Sequence, residues 1–203
     1  MHMKKIGVMG GTFNPIHIGH MMLAEAARDE FSLDEIWLIP TGFSYMKNPR
    51  DVLSAEERYR MTCLAVKDND KMRCLDMEIR RQGRTYSYET MEELKDSFPE
   101  TEFFFLVGAD CLFAMESWKF PERLFRACSI IAAVREGTDM PKMERKRLEL
   151  EQRYGAIIFL FSFRNLEISS TDIRERIYGG KSIRYLVPDI VMRYIEKNGL
   201  YKY

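Results

Sequence analysis

Hydrophobic and polar residues form two kinds of segment along the chain. Short segments are apolar at nearly every position, which is typical of strands buried on both faces, and longer ones are apolar at every third or fourth position, which is typical of helices. The short segments predict strands at residues 5–9, 35–39, 72–79, 102–107, 129–134 and 156–160. The longer ones predict helices at residues 20–31, 54–66, 88–97, 142–154, 171–178 and 188–198.

This alternation of strands and helices predicts an α/β fold, with a doubly wound, mostly parallel sheet covered by helices on both faces. From about residue 168 helices follow without strands, so residues 168–203 are expected to form a short helical appendage within a single domain, 1–203. In such a sheet ligands bind at the carboxyl ends of the strands. The chemistry is therefore expected in the loops after Met9, Ile39, Val107 and Leu160.

Composition and charge exclude several classes of protein. Hydrophobic residues make up 46% of the 203 positions and charged residues 31%, which favours a folded chain over a disordered one. The 31 basic and 31 acidic residues give a net charge of zero, which argues against binding of a nucleic acid polymer through bulk charge. The longest apolar runs are far shorter than the ~18 residues of a membrane-spanning helix. A few placed cations could still bind a small anion.

The four cysteines are Cys63, Cys74, Cys111 and Cys128, and no two of them have C-x-x-C spacing. The three histidines do not complete a zinc pattern with them, so no metal site made of protein side chains is expected. Scattered cysteines in a chain of this length are typical of reduced, mostly buried side chains in a cytoplasmic protein.

The first candidate motif is the segment G-G-T-F-N-P-I-H-I-G-H, which follows the first predicted strand and opens the first long helix. Gly10 and Gly11 permit a tight turn and a close approach of a ligand to the backbone. His17 and His20 are three residues apart, so both can project from one face of the helix, beside N–H groups that favour a phosphate. The segment is neither a Walker A loop nor a G-x-G-x-x-G fingerprint, which weakens P-loop kinase and hydride-transfer interpretations.

The second candidate motif, I-S-S-T-D-I-R, follows the last predicted strand and opens a short helix. Ser170 or Thr171 is expected to cap this helix. Arg174 lies one turn in, where its guanidinium could reach an anionic group. Taken alone, this pattern is more typical of an ordinary helix cap with a solvated arginine; paired with the first motif, it indicates a second phosphate-facing helix terminus.

Together these segments resemble the nucleotidyltransferase superfamily with the H-x-G-H signature, and within it the bacterial nicotinate-nucleotide adenylyltransferases. The resemblance covers most of the chain and includes both motifs, the Tyr86-Ser87-Tyr88 segment, the Gly108-Ala109-Asp110 turn, Trp118 and the tail from Tyr194 to Tyr201. The sequence departs from the family pattern in two places. Asn14 stands where many family members have Asp. Many members have Pro-His-Lys in the loop after the second strand, where this sequence has Thr41-Gly42-Phe43-Ser44-Tyr45-Met46-Lys47. Lys47 is taken as the family lysine.

The resemblance implies a Rossmann-like fold and transfer of the adenylyl group of ATP to nicotinate mononucleotide, giving nicotinate adenine dinucleotide and pyrophosphate. It implies Mg²⁺ held by the ATP phosphates, and the catalytic residues His17, His20, Lys47 and Arg174. The implied ATP-binding residues are Gly10, Gly11, Thr12, Phe13, Gly19, Asp110, Ser169, Ser170 and Thr171. The implied acceptor-binding residues are Ser87, Tyr88, Gly108 and Trp118, with Trp118 stacked on the nicotinate ring.

Three alternatives stay open. Phosphopantetheine adenylyltransferases share both motifs, although they usually have Thr at the position of His17 and a shorter chain. A nicotinamide-mononucleotide adenylyltransferase would differ only in the acceptor, and a non-catalytic nucleotide sensor would keep the site without turnover. The sequence is compatible with a homo-oligomer and does not decide the oligomeric state.

Overall fold

Six parallel strands form the sheet of this protein, in a computed structural model that describes residues 3–42, 52–134, 138–163 and 166–202. The strands are β1 (Lys4–Gly11), β2 (Glu35–Pro40), β3 (Met72–Cys74), β4 (Thr101–Gly108), β5 (Ser129–Val134) and β6 (Ile158–Ser162). Their order across the sheet is β3-β2-β1-β4-β5-β6. Every pair among these strands is parallel, so the predicted doubly wound α/β class is confirmed.

Helices cover both faces of the sheet. They are α1 (Ile18–Glu30), α2 (Ala55–Val66), α3 (Met77–Arg80), α4 (Ser87–Ser97), α5 (Ala109–Ala114), α6 (Pro121–Ala127), α7 (Met140–Tyr154), α8 (Ser170–Tyr178) and α9 (Asp189–Lys197). No helix within the described ranges is long and apolar enough to cross a membrane.

The two faces of the sheet belong to two hydrophobic clusters. Along β4, Phe103, Phe105 and Val107 contribute to one cluster, and Phe104 and Leu106 contribute to the other. Successive strand residues point to opposite faces, so a strand covered on both sides must be apolar at every position. This explains why the central strands appear in the sequence as continuous apolar runs.

The strand order also determines where a ligand can bind. The chain runs outward from β1 to β3 and then returns to place β4 on the other side of β1. The loops that follow β1 and β4 therefore lead to opposite faces and leave a crevice at the carboxyl ends of these two strands.

The C-terminal helices pack back onto the rest of the fold. The Tyr194 hydroxyl donates to a carboxylate oxygen of Glu57 on α2 at 2.7 Å. The Tyr201 hydroxyl donates to the Asn14 side-chain oxygen at 2.9 Å, in the loop that follows β1. The last residues of the chain thus brace the first loop of the sheet.

Two of the strands predicted from the sequence differ from those in the structure: one is much shorter, and the other begins later in the chain. Of the strand predicted at residues 72–79, only Met72–Cys74 forms β3, and Met77–Arg80 forms helix α3. As an edge strand β3 pairs with β2 alone, and the pairing stops before it reaches Pro40, which has no N–H to donate. The strand predicted at 156–160 begins two residues later, because Gly155 ends α7 in a left-handed conformation (φ 64°).

Candidate active site

A cavity of about 560 Å³ lies at the carboxyl ends of β1 and β4. Its walls come from the ends of β1, β2 and β4, the start of α1, the start of α4 and the turn that carries Trp118. Its size is that of a small-molecule pocket. The sequence-predicted residues that line it are Gly10, Gly11, Thr12, Phe13, His20, Ser87, Tyr88, Gly108 and Trp118.

The glycine-rich loop packs closely on itself. A Cβ added at Gly11 would lie 3.0 Å from the ring of Phe13, whose own backbone has a positive φ of 47°. A Cβ at Gly19 would lie 3.1 Å from Nδ1 of His17. Gly19 was predicted to bind ATP, but it is not among the residues that line the cavity, and its observed contact is with the His17 ring.

His17 and His20 form a stacked pair at the start of α1. Their ring centroids are 3.6 Å apart, and the edge of Phe13 meets His20 at a centroid distance of 5.1 Å. The backbone N–H of His17, the N-cap residue, donates to Nδ1 of His20 at 3.2 Å. Because Nδ1 of His20 accepts this bond, its neutral ring carries the proton on Nε2.

The two histidines differ in exposure to the cavity. His20 lines it, whereas His17 is buried behind the stacked ring with 7% of its surface exposed. Burial lowers the pKa of His17 to about 4, so this imidazole is neutral at pH 7. His17 is thus a neutral hydrogen-bonding group, and its contribution at neutral pH does not include a positive charge.

Buried polar atoms without partners concentrate at this place. In the described part of the chain they are His17 Nδ1, Thr41 Oγ1 and Trp118 Nε1. Thr41 and Trp118 line the cavity, and His17 stacks on His20, which also lines it. Since buried polar atoms are nearly always paired in proteins, this concentration indicates a site shaped for a polar ligand.

The second motif closes directly onto the first. The Ser170 hydroxyl donates to the backbone oxygen of Pro15 at 2.9 Å, and Nη1 of Arg174 donates to the backbone oxygen of Asn14 at 2.9 Å. Nη2 of Arg174 lies 3.2 Å from the Thr171 hydroxyl. The N-cap of α8 is Ser169, so the expectation of Ser170 or Thr171 as the cap was wrong.

These second-motif residues lie beside the glycine-rich loop and outside the cavity lining. Asp110 is also outside it, as an exposed residue in the first turn of α5, where Gly108 is the N-cap. Lys47 falls outside the described residues. The structure therefore brings together the first loop, α1, α4 and the Trp118 turn around one cavity, with α8 packed against the loop from outside.

The end of the cavity beside Trp118 is aromatic and basic. Tyr86 is the N-cap of α4, so the N–H groups of Ser87 and Tyr88 come before the first backbone hydrogen bond of the helix. The Trp118 ring meets Phe105 edge-on at 6.4 Å. Sequence reasoning missed Lys119, whose Nζ lies 4.4 Å from the centroid of the Tyr86 ring and which also lines the cavity.

A buried carboxyl at this end was also missed. Glu78 of α3 lines the cavity with 5% of its surface exposed, and the Thr90 hydroxyl donates to its Oε1 at 2.7 Å. Burial raises the pKa of Glu78, an effect that the hydrogen bonds from Thr90 and Thr85 partly oppose. A Cβ on Gly42 would collide with the Glu78 backbone carbonyl, so only glycine fits where the loop after β2 meets α3.

The largest omission of the sequence analysis is Arg58 on α2, which is 2% exposed. Its guanidinium donates to four backbone oxygens: Thr12 at 2.7 Å, Thr41 at 2.7 Å, Gly42 at 2.9 Å and Leu53 at 3.1 Å. Burial lowers its pKa, although an arginine remains charged at neutral pH. Arg58 thus ties the loop after β1 to the loop after β2 beneath the cavity. A sequence signal existed, because Arg58 shares a helix face with the apolar Met61.

In the described residues no group of three or more His, Cys, Asp or Glu side chains is arranged to hold a metal ion. Among the described residues that line the cavity, Glu78 is the one carboxylate, and the others offer hydroxyl, imidazole and backbone groups. A cation in the cavity would have to take its ligands mainly from a bound phosphate ester and water.

The strand order reverses between β1 and β4, and the glycine-rich loop and the histidine pair lie at this point of the sheet. This arrangement defines an α/β nucleotide-binding protein of the nucleotidyltransferase class. The cytidylyltransferase-like family model matches residues 8–176. The chain is 43% identical over 199 residues to a "Probable nicotinate-nucleotide adenylyltransferase" of Lachnoclostridium phytofermentans, covering 98% of this chain and 100% of the relative. It is 41% identical to one of the same name from Thermoanaerobacter sp., covering 98% and 94%.

Solved structures show the same fold. Plasmodium falciparum nicotinic acid mononucleotide adenylyltransferase, complexed with NaAD, superposes with a TM-score of 0.79 over 98% of this chain and 97% of that one, at 21% identity. The chain belongs to the nicotinate-nucleotide adenylyltransferase branch of the cytidylyltransferase-like family.

Proposed function

We propose that this protein transfers the adenylyl group of ATP to the 5′-phosphate of nicotinate mononucleotide, forming nicotinate adenine dinucleotide and pyrophosphate. The observation that carries the proposal is the cavity at the sheet's switch point, which joins the histidine-bearing start of α1 to the aromatic turn of Trp118. The curated relatives at 43% and 41% identity, which match over almost the whole chain, bear the name of this activity.

The reaction needs alignment more than acid–base chemistry. An oxygen of the acceptor phosphate attacks the α-phosphorus of ATP, and the bond from that phosphorus to the bridging oxygen of pyrophosphate breaks. The attacking oxygen is already anionic, so no base has to remove a proton from it. The protein has to bring two polyanions into line and stabilise the charge that develops on the leaving pyrophosphate.

At the phosphate end, we assign the hydrogen bond to the α-phosphate to His20. Its Nδ1 accepts the His17 backbone N–H, so its neutral ring carries the proton on Nε2, and we assign that N–H to the oxyanion. Gly10 and Gly11 let the backbone approach the nucleotide, and neutral His17 stacks behind His20 and sets its ring plane. Phe13 supports the same ring by an edge contact.

We assign the pyrophosphate oxygens to Arg174 and Lys47. Arg174 uses Nη1 for the Asn14 backbone oxygen, an anchor that keeps the guanidinium beside the glycine-rich loop. In this proposal the remaining ATP contacts come from the loop after β1, from α8 and from the turn after β4. Their residues are Thr12, Gly19, Asp110, Ser169, Ser170 and Thr171.

Mg²⁺ is the proposed metal, and the phosphate oxygens of ATP would hold it. The described residues fit this arrangement, since no group of three or more His, Cys, Asp or Glu side chains among them is arranged to hold a metal ion. When bound there, the ion would offset negative charge on the departing pyrophosphate. We also propose a cytoplasmic location, where ATP and pyridine nucleotides are available as small-molecule substrates.

At the acceptor end, the nicotinate ring is assigned to the face of Trp118, and its carboxylate to the N–H groups of Ser87 and Tyr88. The N-terminus of α4 favours a negative group, and Lys119 adds a positive charge at the same wall. Gly108 leaves open space at the end of β4, since a Cβ there would meet no atom within 4 Å. These features favour nicotinate over the uncharged nicotinamide.

The test is pyrophosphate release from ATP and Mg²⁺ with three separate acceptors: nicotinate mononucleotide, nicotinamide mononucleotide and phosphopantetheine. We expect the highest kcat/KM with nicotinate mononucleotide. Reaction with phosphopantetheine alone would refute the acceptor assignment. Nucleotide binding without pyrophosphate release for any acceptor would refute catalysis and favour a sensor.

A further inference from the structure

Two side chains from α3 and its C-cap hold one buried hydroxyl of α4 at the cavity wall. The Thr90 hydroxyl donates to Oε1 of Glu78 at 2.7 Å, and Nη1 of Arg81 donates to the same hydroxyl at 3.0 Å. A hydroxyl has one proton to donate and two lone pairs that accept, so it can serve both partners at once. Its contact with the Tyr86 backbone oxygen is longer, at 3.4 Å. Arg81 is also paired with Glu93, one turn further along α4.

The bond between Glu78 and Thr90 joins two separately placed parts of the fold. Glu78 lies against the loop after β2, where a Cβ on Gly42 would collide with its backbone oxygen. Thr90 lies on α4, and its backbone N–H donates to the Tyr86 oxygen at 3.3 Å, which closes the first turn of the helix. The carboxyl therefore fixes the first turn of α4 relative to the β2 side of the cavity.

A carboxyl is a costly side chain for this position. Glu78 is 5% exposed and Thr90 is 2% exposed, and burying a carboxyl costs free energy unless its oxygens are hydrogen-bonded. Burial raises the pKa of Glu78, and the hydrogen bond from Thr90 and the positive charge of Arg81 oppose that rise. An apolar side chain could fill the same space without this cost, but it could not accept the bond from Thr90.

The turn that Glu78 holds contains the N–H groups of Ser87 and Tyr88, and both residues line the cavity. Hydrogen bonds weaken steeply when a donor is displaced or turned away, so the position of this turn matters for any group bound to it. We propose that Glu78 is a positioning residue for the acceptor and acts through the Thr90 hydroxyl. This inference rests on the proposed function, which assigns the nicotinate carboxylate to the two N–H groups.

The role predicts a selective defect. Loss of the bond should displace the donors of the acceptor carboxylate, which raises the KM for nicotinate mononucleotide and lowers the preference over nicotinamide mononucleotide. The KM for ATP should stay near the wild-type value, because the glycine-rich loop and the histidine pair follow β1 and are not part of α4.

The experiment removes each end of the bond and measures both KM values by pyrophosphate release. We expect Glu78→Ala and Thr90→Val each to raise the KM for nicotinate mononucleotide about tenfold, since each leaves a buried partner unpaired. The double variant should show no further rise, because the two residues act through one bond. Glu78→Gln and Thr90→Ser keep an acceptor and a hydroxyl and should stay close to wild type. An equal rise in both KM values, or effects that multiply in the double variant, would overturn the proposal.

Glu35→Ala is the matched control for loss of a buried carboxyl. Glu35 is 9% exposed on β2, accepts from Lys4 and Trp37, and is not among the residues that line the cavity. Its loss should lower the melting temperature and leave the KM for nicotinate mononucleotide unchanged.

Hydrogen exchange of the peptide spanning residues 86–91 gives a readout that does not use turnover. It should be faster in Glu78→Ala than in wild type and unchanged in Glu35→Ala. Unchanged exchange in Glu78→Ala would refute the positioning role even with the proposed function intact. A wild-type protein that releases no pyrophosphate with nicotinate mononucleotide would refute the proposed function, and the acceptor role of Glu78 with it, whatever the exchange result.

Discussion

The two ends of the cavity are built differently. The phosphate end is braced by bonds to backbone oxygens, with Arg58 beneath the loops after β1 and β2 and Arg174 on the Asn14 carbonyl. The acceptor end presents side-chain surfaces, in which the Trp118 ring and the exposed Lys119 lie beside the first turn of α4. A braced end is suited to a fixed reaction geometry, and a side-chain-lined end is suited to selecting a substrate. Substitutions at the two ends should therefore fail in different ways.

The largest effect is expected at His20. In His20→Ala the proposed donor to the α-phosphate is lost, and removal of one such donor typically costs about 10²–10³-fold in kcat. Steady-state pyrophosphate release measures this loss. Met22→Ala, on an exposed part of the same helix, is the control and should retain wild-type turnover. A His20→Ala enzyme within a few-fold of wild type would disprove the role of the H-x-G-H motif.

A pH experiment examines the buried member of the histidine pair. The pKa of His17 is lowered to about 4 in the folded protein from the usual 6.5, so the unfolded chain binds the proton first. Its contribution to stability is therefore complete above pH 6.5 and declines as pH falls toward 4, by about 3 kcal/mol in total. Urea unfolding measured from pH 7 to 4 should show a smaller fall in the free energy of unfolding for His17→Asn than for wild type. Parallel curves for the two proteins would show that His17 is not buried as described.

Arg58 tests the bracing of the phosphate end. In Arg58→Met four backbone oxygens lose their donor, and we expect the free energy of unfolding to fall by about 2–4 kcal/mol, since a buried unsatisfied acceptor costs about 1–3 kcal/mol. The KM for ATP should rise about tenfold, a change of about 1.4 kcal/mol. Arg58→Lys should restore part of the free energy of unfolding and bring the KM for ATP part of the way back to the wild-type value.

The matched control for Arg58 is Arg60→Met, because Arg60 lies on the same helix and is exposed. It should be close to wild type in ATP KM. An Arg58→Met protein with reduced stability and an unchanged ATP KM would limit Arg58 to holding the fold.

Trp118 tests the acceptor end. Loss of the stacking face in Trp118→Ala should raise the KM for nicotinate mononucleotide about tenfold, since stacking on an aromatic side chain contributes about 1–3 kcal/mol per base. The KM for ATP should stay near the wild-type value. Trp118→Phe keeps an aromatic face, so its KM for nicotinate mononucleotide should lie between those of wild type and Trp118→Ala. An equal rise in both KM values would refute the separation of the two ends.

The smallest effect is expected at Lys119. Lys119→Met removes a positive charge from the acceptor wall, and the preference for nicotinate over nicotinamide mononucleotide should fall about threefold, as for an exposed charge pair. Lys142→Met is the matched control, because Lys142 also lies over an aromatic ring, that of Phe113, outside the cavity lining. Equal preference ratios in wild type and Lys119→Met would exclude Lys119 from acceptor choice.

The sequence predicted the sheet well because burial on both faces leaves a local signal. Strands such as β2 and β5 are buried at every position, and this produces the apolar runs that predicted them. The β3–α3 region was mispredicted because its outcome depends on a neighbouring strand. The pairing ends where Pro40 of β2 offers no N–H, and Pro40 is far from β3 in the sequence.

The site divides in the same way. The glycine-rich loop is contiguous in sequence, so its residues could be recognised together. Arg58, Glu78 and Lys119 lie apart from that loop in the sequence, and each acquires its site neighbours through the fold: Arg58 from two loops, Glu78 from Thr90 and Lys119 from Tyr86.

The central claim is that the phosphate end performs the transfer and the acceptor end selects the substrate. The most direct test is the ratio of kcat/KM for nicotinate mononucleotide to that for nicotinamide mononucleotide, measured by pyrophosphate release in wild type, His20→Ala and Trp118→Ala. We predict a wild-type ratio well above one, the same ratio in the slowed His20→Ala enzyme, and a ratio reduced toward one in Trp118→Ala. A ratio that changes in His20→Ala and is unaltered in Trp118→Ala would contradict the account.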